Sequence, residues 1–122
     1  MDKNRSSLIR LDDDQAVGLG DSRKSPAYFC RRKPVAVTRE LVAELVAKGK
    51  GTGKGIRLCL HEGPDALLHD MIVVQYAGQC FRSHKHLEKD ESYHMIEGEM
   101  GVVIFDDEGK VVDACRMDTS NT

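Results

Sequence analysis

Gly78-Gln-Cys-Phe-Arg-Ser-His84-Lys-His86-Leu-Glu-Lys-Asp-Glu91-Ser-Tyr-His-Met-Ile-Glu-Gly98 is the stretch from which the fold and chemistry of this 122-residue chain are read. Along a β-strand residues i and i+2 share a face, so His84 and His86 are expected to point into one cavity. A next strand beginning near Glu91 brings its carboxylate to the same point. Two imidazoles and a carboxylate are borderline ligands, suited to Fe(II), Mn, Ni or Zn rather than to a calcium cage. Arg82 shares the parity of His84, and Tyr93 that of Glu91. Arg82 is thus a candidate substrate-binding residue for an anionic group, its alternative being a solvated position at the mouth of a barrel. Tyr93 is a candidate proton-moving residue, its alternative being simple packing. Cys80 has the parity of His84 as well, whereas His94 has the wrong parity relative to Glu91.

Outward from this stretch, everything after residue 55 has a β pattern. Candidate strands are Ile56–His61, Met71–Tyr76, Cys80–His86, Ser92–Glu97, Gly101–Asp106 and Val111–Cys115. Turn residues separate them, including Gly63-Pro64-Asp65 and Asp106-Asp107-Glu108-Gly109. Short strands at intervals of roughly ten residues predict an antiparallel sandwich or barrel. Met95, Met100, Val102 and Ile104 are expected to line it or to fill its core. Upstream, Ala27–Cys30 reads as a short strand. Thr38 caps a helix running to about Lys48, with Leu41, Val42, Leu45 and Val46 as its apolar stripe and Gly49 as its stop. The glycine run from Gly49 to Gly55 fails the phosphate-loop test, because Lys54 and Gly55 stand where that loop requires Gly and Lys. It reads as a helix-to-strand turn.

Size and composition set the frame. The length suits one domain. A formal net charge of −2 argues against nucleic-acid or membrane partners. No apolar run reaches about 18 residues and no signal region is apparent, so a cytoplasmic location is expected. Cys30, Cys59, Cys80 and Cys115 form no Cys-x-x-Cys pair and read as reduced, apolar strand residues. Residues 1–25 are polar, include Asp12-Asp13-Asp14, and are expected to form a flexible tail, mobile or loosely docked. Residues 26–117 are expected to form the metal-binding domain and 118–122 a disordered end. His61 and His69 read as hydrogen-bonded structural residues.

The spacing Gly78-x5-His84-x-His86-x4-Glu91-x6-Gly98 resembles the first signature motif of the cupin superfamily. Arg57-Leu-Cys-Leu-His61, Leu68-His69-Asp-Met71, Arg82-Ser-His-Lys-His86, Glu91-Ser-Tyr-His94 and Val103-Ile-Phe-Asp-Asp107 look like the WbuC-type cupin-fold metalloproteins, over about residues 27 to 117. The resemblance implies an all-β, double-sheet jelly-roll barrel with one short N-terminal helix. It also implies metal binding by His84, His86 and Glu91, and a link to bacterial surface-polysaccharide or sugar-nucleotide biosynthesis. Ser83 departs from the proline usual before the first ligand. The second cupin motif, with its fourth ligand, is absent, and Asp113 or Asp118 is a weak substitute. The C-terminal strands are therefore expected to be missing, through truncation, or supplied by another chain through strand exchange. A homodimer is the default.

Three functions fit this reading. One is a metal-dependent isomerase or epimerase acting on a small, anionic, sugar-derived ligand. Another is an Fe(II) oxygenase. The third is a non-catalytic module that binds a metal or ligand. Fold alone does not choose among them.

Overall fold

Thr38 begins the one helix because its side-chain oxygen accepts the Leu41 N–H at 3.1 Å, satisfying a donor that the first turn leaves open. In the computed structural model, which describes residues 8–20 and 26–120, helix α1 spans Arg39–Thr52. Six strands accompany it: β1 Val17–Gly20, β2 Ala27–Cys30, β3 Ile56–Cys59, β4 Met71–Val74, β5 Glu99–Phe105 and β6 Val111–Asp118. The described residues are mostly β, with one short helix and two sheets. The described residues form no closed barrel. The chain divides into two compact units, Met1–Gln79 and Cys80–Thr122, a division inside the expected single domain 26–117.

The first unit holds a four-stranded sheet in the order β1-β2-β3-β4. β1 pairs antiparallel with β2 and β3 with β4, but β2 and β3 run parallel. The expectation of a purely antiparallel arrangement is corrected here. Parallel neighbours need a long crossover, and α1 lies within it. Leu41 and Leu45, one turn apart, bury themselves with Ile56, Leu58, Ile72, Val17 and Cys30 in the core.

The expected helix stop at Gly49 is also corrected. The helix continues to Thr52 and ends on Gly53, whose φ of 66° is the left-handed cap that glycine provides. Gly49 is small for a different reason. A Cβ there would run into the Tyr76 hydroxyl and Ile56, and that hydroxyl donates to the Val46 carbonyl at 2.8 Å.

Of the tail expected to be mobile or loosely docked over 1–25, residues 8–20 are docked. Ile9, Leu11, Ala16 and Val17 are buried in the core, and β1 pairs with β2 across four residues. The acidic run takes part in this docking. The Asp13 carboxylate meets Arg32 at 3.4 Å and the Asp13 carbonyl accepts the Ala16 and Val17 N–H groups. The Asp14 carbonyl accepts from Arg31 at 2.8 Å. Residues 1–7 and 21–25, which carry the rest of the expected tail, and 121–122, the last two of the expected disordered end, lie outside the described residues. The expected disorder does not hold at 118–120, where Asp118 ends β6 and its Oδ1 accepts the Ser120 N–H at 2.8 Å.

The second unit contains the antiparallel ribbon of β5 and β6. Its turn is built as the sequence suggests: Asp106 Oδ1 accepts the Glu108 and Lys110 N–H groups, each at 2.9 Å, and Gly109 takes a φ of 84°. Met100 and Val102 are half-buried, but Ile104, expected in a core, is 49 % exposed. The strands expected over 80–86 and 92–97 do not form; neither segment pairs in a ladder. Alternation alone assigns faces, and a strand exists only where a partner supplies hydrogen bonds.

Candidate metal centre

The three expected ligands converge without a strand to hold them. One donor atom from each of His84, His86 and Glu91 lies within 4.8 Å of the other two. His86 Nε2 stands 2.9 Å from Glu91 Oε1. The two imidazoles meet edge to face, with ring centroids 5.2 Å apart and planes at 90°. All three residues are exposed.

The His84 tautomer follows from its partner. His84 Nδ1 lies 3.2 Å from the Arg82 carbonyl oxygen. A carbonyl only accepts, so Nδ1 carries the proton and Nε2 is left with the lone pair that a metal requires. Arg82 thus touches the site through its backbone, while its side chain is exposed. Tyr93 reaches the site through its hydroxyl, which donates to Glu91 Oε2 at 2.9 Å. Burial, followed by the Glu91 hydrogen bond and charge, pushes the Tyr93 phenol above its ordinary pKa, so it stays protonated at neutral pH.

Sequence reasoning missed Lys85 and Asp107. Lys85 stands between the two histidines, and its ammonium meets the Asp107 carboxylate at 2.7 Å, at the turn of the β5–β6 ribbon. Alternation offers a faint signal, since it turns Lys85 away from the face shared by its neighbours. Nothing local identifies a partner 22 residues later.

The donor set fits a transition metal. Bonds of about 2.1 Å put ligand atoms about 3.0 Å apart at right angles and about 3.4 Å apart at tetrahedral angles. The His86–Glu91 separation is already of this size, and the three donor atoms lie within 4.8 Å of one another. Neither proposed substitute ligand joins the cluster. Asp113 Oδ1 accepts the Ala114 N–H, and Asp118 Oδ1 accepts the Ser120 N–H and hydroxyl. Cys80 is exposed and outside the cluster as well.

The other histidine pair shows what a non-chelating arrangement looks like. His61 and His69 stack at 4.2 Å with planes only 17° apart. Ring-nitrogen lone pairs lie in the ring plane, so stacked rings aim them side by side rather than at one point. His61 Nδ1 and the Asp70 backbone lie 3.2 Å apart, and His69 Nε2 donates to the Pro64 carbonyl at 3.0 Å. These are the structural histidines that the sequence suggested.

The family description that matches this chain is a domain of unknown function, DUF6016, over residues 37–117. The chain belongs to the DUF6016 family. The match runs from just before α1 into β6 and includes every residue of the candidate centre. No curated protein and no solved structure shows a match to this DUF6016 chain. No described helix is long and apolar enough to cross a membrane.

Proposed function

We propose that this DUF6016 protein is a cupin-like metal-binding protein centred on His84, His86 and Glu91. One observation carries the reading: the three donor groups converge within 4.8 Å, at the spacing that resembles the cupin motif. A bound divalent transition metal (Fe, Mn, Ni or Zn) supplies Lewis-acid chemistry, with coordination positions left for a ligand. The chain's own residues orient that chemistry. The Arg82 carbonyl fixes the His84 tautomer, and Tyr93 fixes one oxygen of Glu91. The exposed Arg82 guanidinium is available to an anionic substrate group.

By the WbuC-type resemblance, the substrate is small and sugar-derived. The chemistry is isomerisation or epimerisation in bacterial surface-polysaccharide or sugar-nucleotide biosynthesis, in the cytoplasm. The exposure of all three ligands favours a second reading, a non-catalytic metal- or ligand-binding module. The two-histidine, one-carboxylate donor set keeps the Fe(II) oxygenase as a third. The assembly proposed with this reading is a homodimer, or a strand exchange with another chain.

The test is elemental analysis of purified, untagged protein, with anaerobic titrations of the four metals. Stoichiometric binding is expected in the wild type and its loss in His84→Ala, His86→Ala and Glu91→Gln. A wild-type protein that retains none of the four metals refutes the proposal. Zinc alone, with no iron-restored activity, eliminates the oxygenase. Ligand binding that survives Glu91→Gln while metal binding is lost favours the module.

A further inference from the structure

Glu91 is engaged at both ends of its carboxylate. Oε1 faces His86 Nε2 at 2.9 Å, while Oε2 accepts the Tyr93 hydroxyl proton at the same distance. The two oxygens therefore have separate tasks. One is turned to His86, and the other is already committed to a phenol.

We propose that Tyr93 is a positioning residue that restricts Glu91 to a single metal-directed oxygen, Oε1. The proposal rests on the metal-binding reading above. Carboxylates bind metals through one oxygen or through both. A carboxylate free to use both fills a coordination position that a substrate or water otherwise takes. With Oε2 held by Tyr93, the chain contributes two imidazole nitrogens and one oxygen, and a metal of coordination number four or more keeps at least one position open. The phenol proton is donated to Oε2. Tyr93 acts through Glu91.

The test is Tyr93→Phe, which deletes the hydroxyl and keeps the ring. Tyr93 is 53 % exposed, so the ring itself fits Phe without repacking a core. Cobalt(II) titration, followed by calorimetry and by visible absorption, reads affinity and coordination number separately, because cobalt absorbs more weakly as its coordination number rises. The expected result is a loss of affinity of about tenfold, the low end of the range for outer-shell partners of metal ligands. A weaker absorption band, from Glu91 taking up its second oxygen, accompanies it. Equal affinity and spectrum in both proteins overturn the proposal. A loss of affinity with an unchanged spectrum overturns it too, since the coordination would then not depend on the hydroxyl. Cobalt uptake that is abolished by His84→Ala but identical with and without the Tyr93 hydroxyl refutes only this role. A wild type that takes up no cobalt refutes the metal reading and this one together.

Discussion

The thiolate, not the thiol, is the nucleophile, so burial silences a cysteine chemically as well as sterically. Cys30 is pushed up to about 11, by burial first and by nearby Cys59 second. Burial raises Cys59 as well, against the opposing charge of Arg57. Cys80 and Cys115 are exposed. At pH 8 a disulfide-exchange reagent is expected to modify Cys80 and Cys115 rapidly in the folded protein. Cys30 and Cys59 should follow only in denaturant, with peptide mapping to assign the sites. Equal native rates at all four would contradict the burial. All four cysteines read alike in sequence, as apolar strand residues, because composition does not reveal which side of a strand is covered. The candidate metal ligands were more legible. His84, His86 and Glu91 are identified by their own spacing, and their approach to one another survives even though the strands that motivated it do not form. Lys85 was not legible, because its meaning depends on Asp107, which only folding brings near.

Elements were legible where their signals are local. The cap at Thr38, the stripe of Leu41 and Leu45, and the apolar run Ala27–Cys30 all carry their own instructions. β1 does not. Val17-Gly-Leu-Gly20 is half glycine, a poor strand former. Its glycines make room for what lies over them: a Cβ at Gly18 would sit 2.6 Å from Arg31 Nη2, and one at Gly20 would strike the Phe29 ring. Such a strand is specified by its neighbours. The connection between β3 and β4 has its own anchor in His61, which is 5 % exposed and stacked under His69. Burial lowers the His61 pKa; His69 and Lys33 lower it further, while the Asp70 backbone bond and charge oppose them. The unfolded chain, with a histidine pKa near about 6.5, therefore binds the proton more readily than the folded one. Stability from this residue is full above that value and is lost as pH falls below it toward the folded pKa. The urea midpoint is expected to drop between about pH 7 and pH 5.5. His61→Asn, whose Oδ1 can accept the Asp70 N–H in place of Nδ1, should flatten that dependence. Parallel pH profiles for the two proteins would rule His61 out as the cause.

For the whole molecule, association is the question that the second unit raises. The β5–β6 ribbon exposes Val103, Ile104, Phe105, Val111 and Val112, each between 43 % and 59 %. A two-stranded ribbon on its own is marginally stable in water, and clustered apolar surface marks places where proteins associate. The proposed second copy answers both points. Light scattering is expected to return twice the chain mass, and Ile104→Lys to shift the population toward monomer. A wild-type monomer at every concentration would exclude that assembly. The overall architecture was the least legible level. Sequence periodicity marks candidate strands, but it does not say that β2 and β3 run parallel or that residues 80–98 stay unpaired. Those outcomes depend on which backbone groups find partners across the chain.

The ligand segment begins and ends on glycines of left-handed conformation, Gly78 at φ 88° and Gly98 at φ 78°. Nothing lies within 4 Å of the place where a side chain would begin at either position. The restriction there is one of handedness rather than of room. An L-alanine at either position must strain the backbone or redirect the loop, whereas its mirror image, D-alanine, fits the same torsions without touching a neighbour. Chemical synthesis could therefore lock both corners of the segment in their folded sense, limiting the unfolded chain's freedom while adding nothing that touches a neighbour.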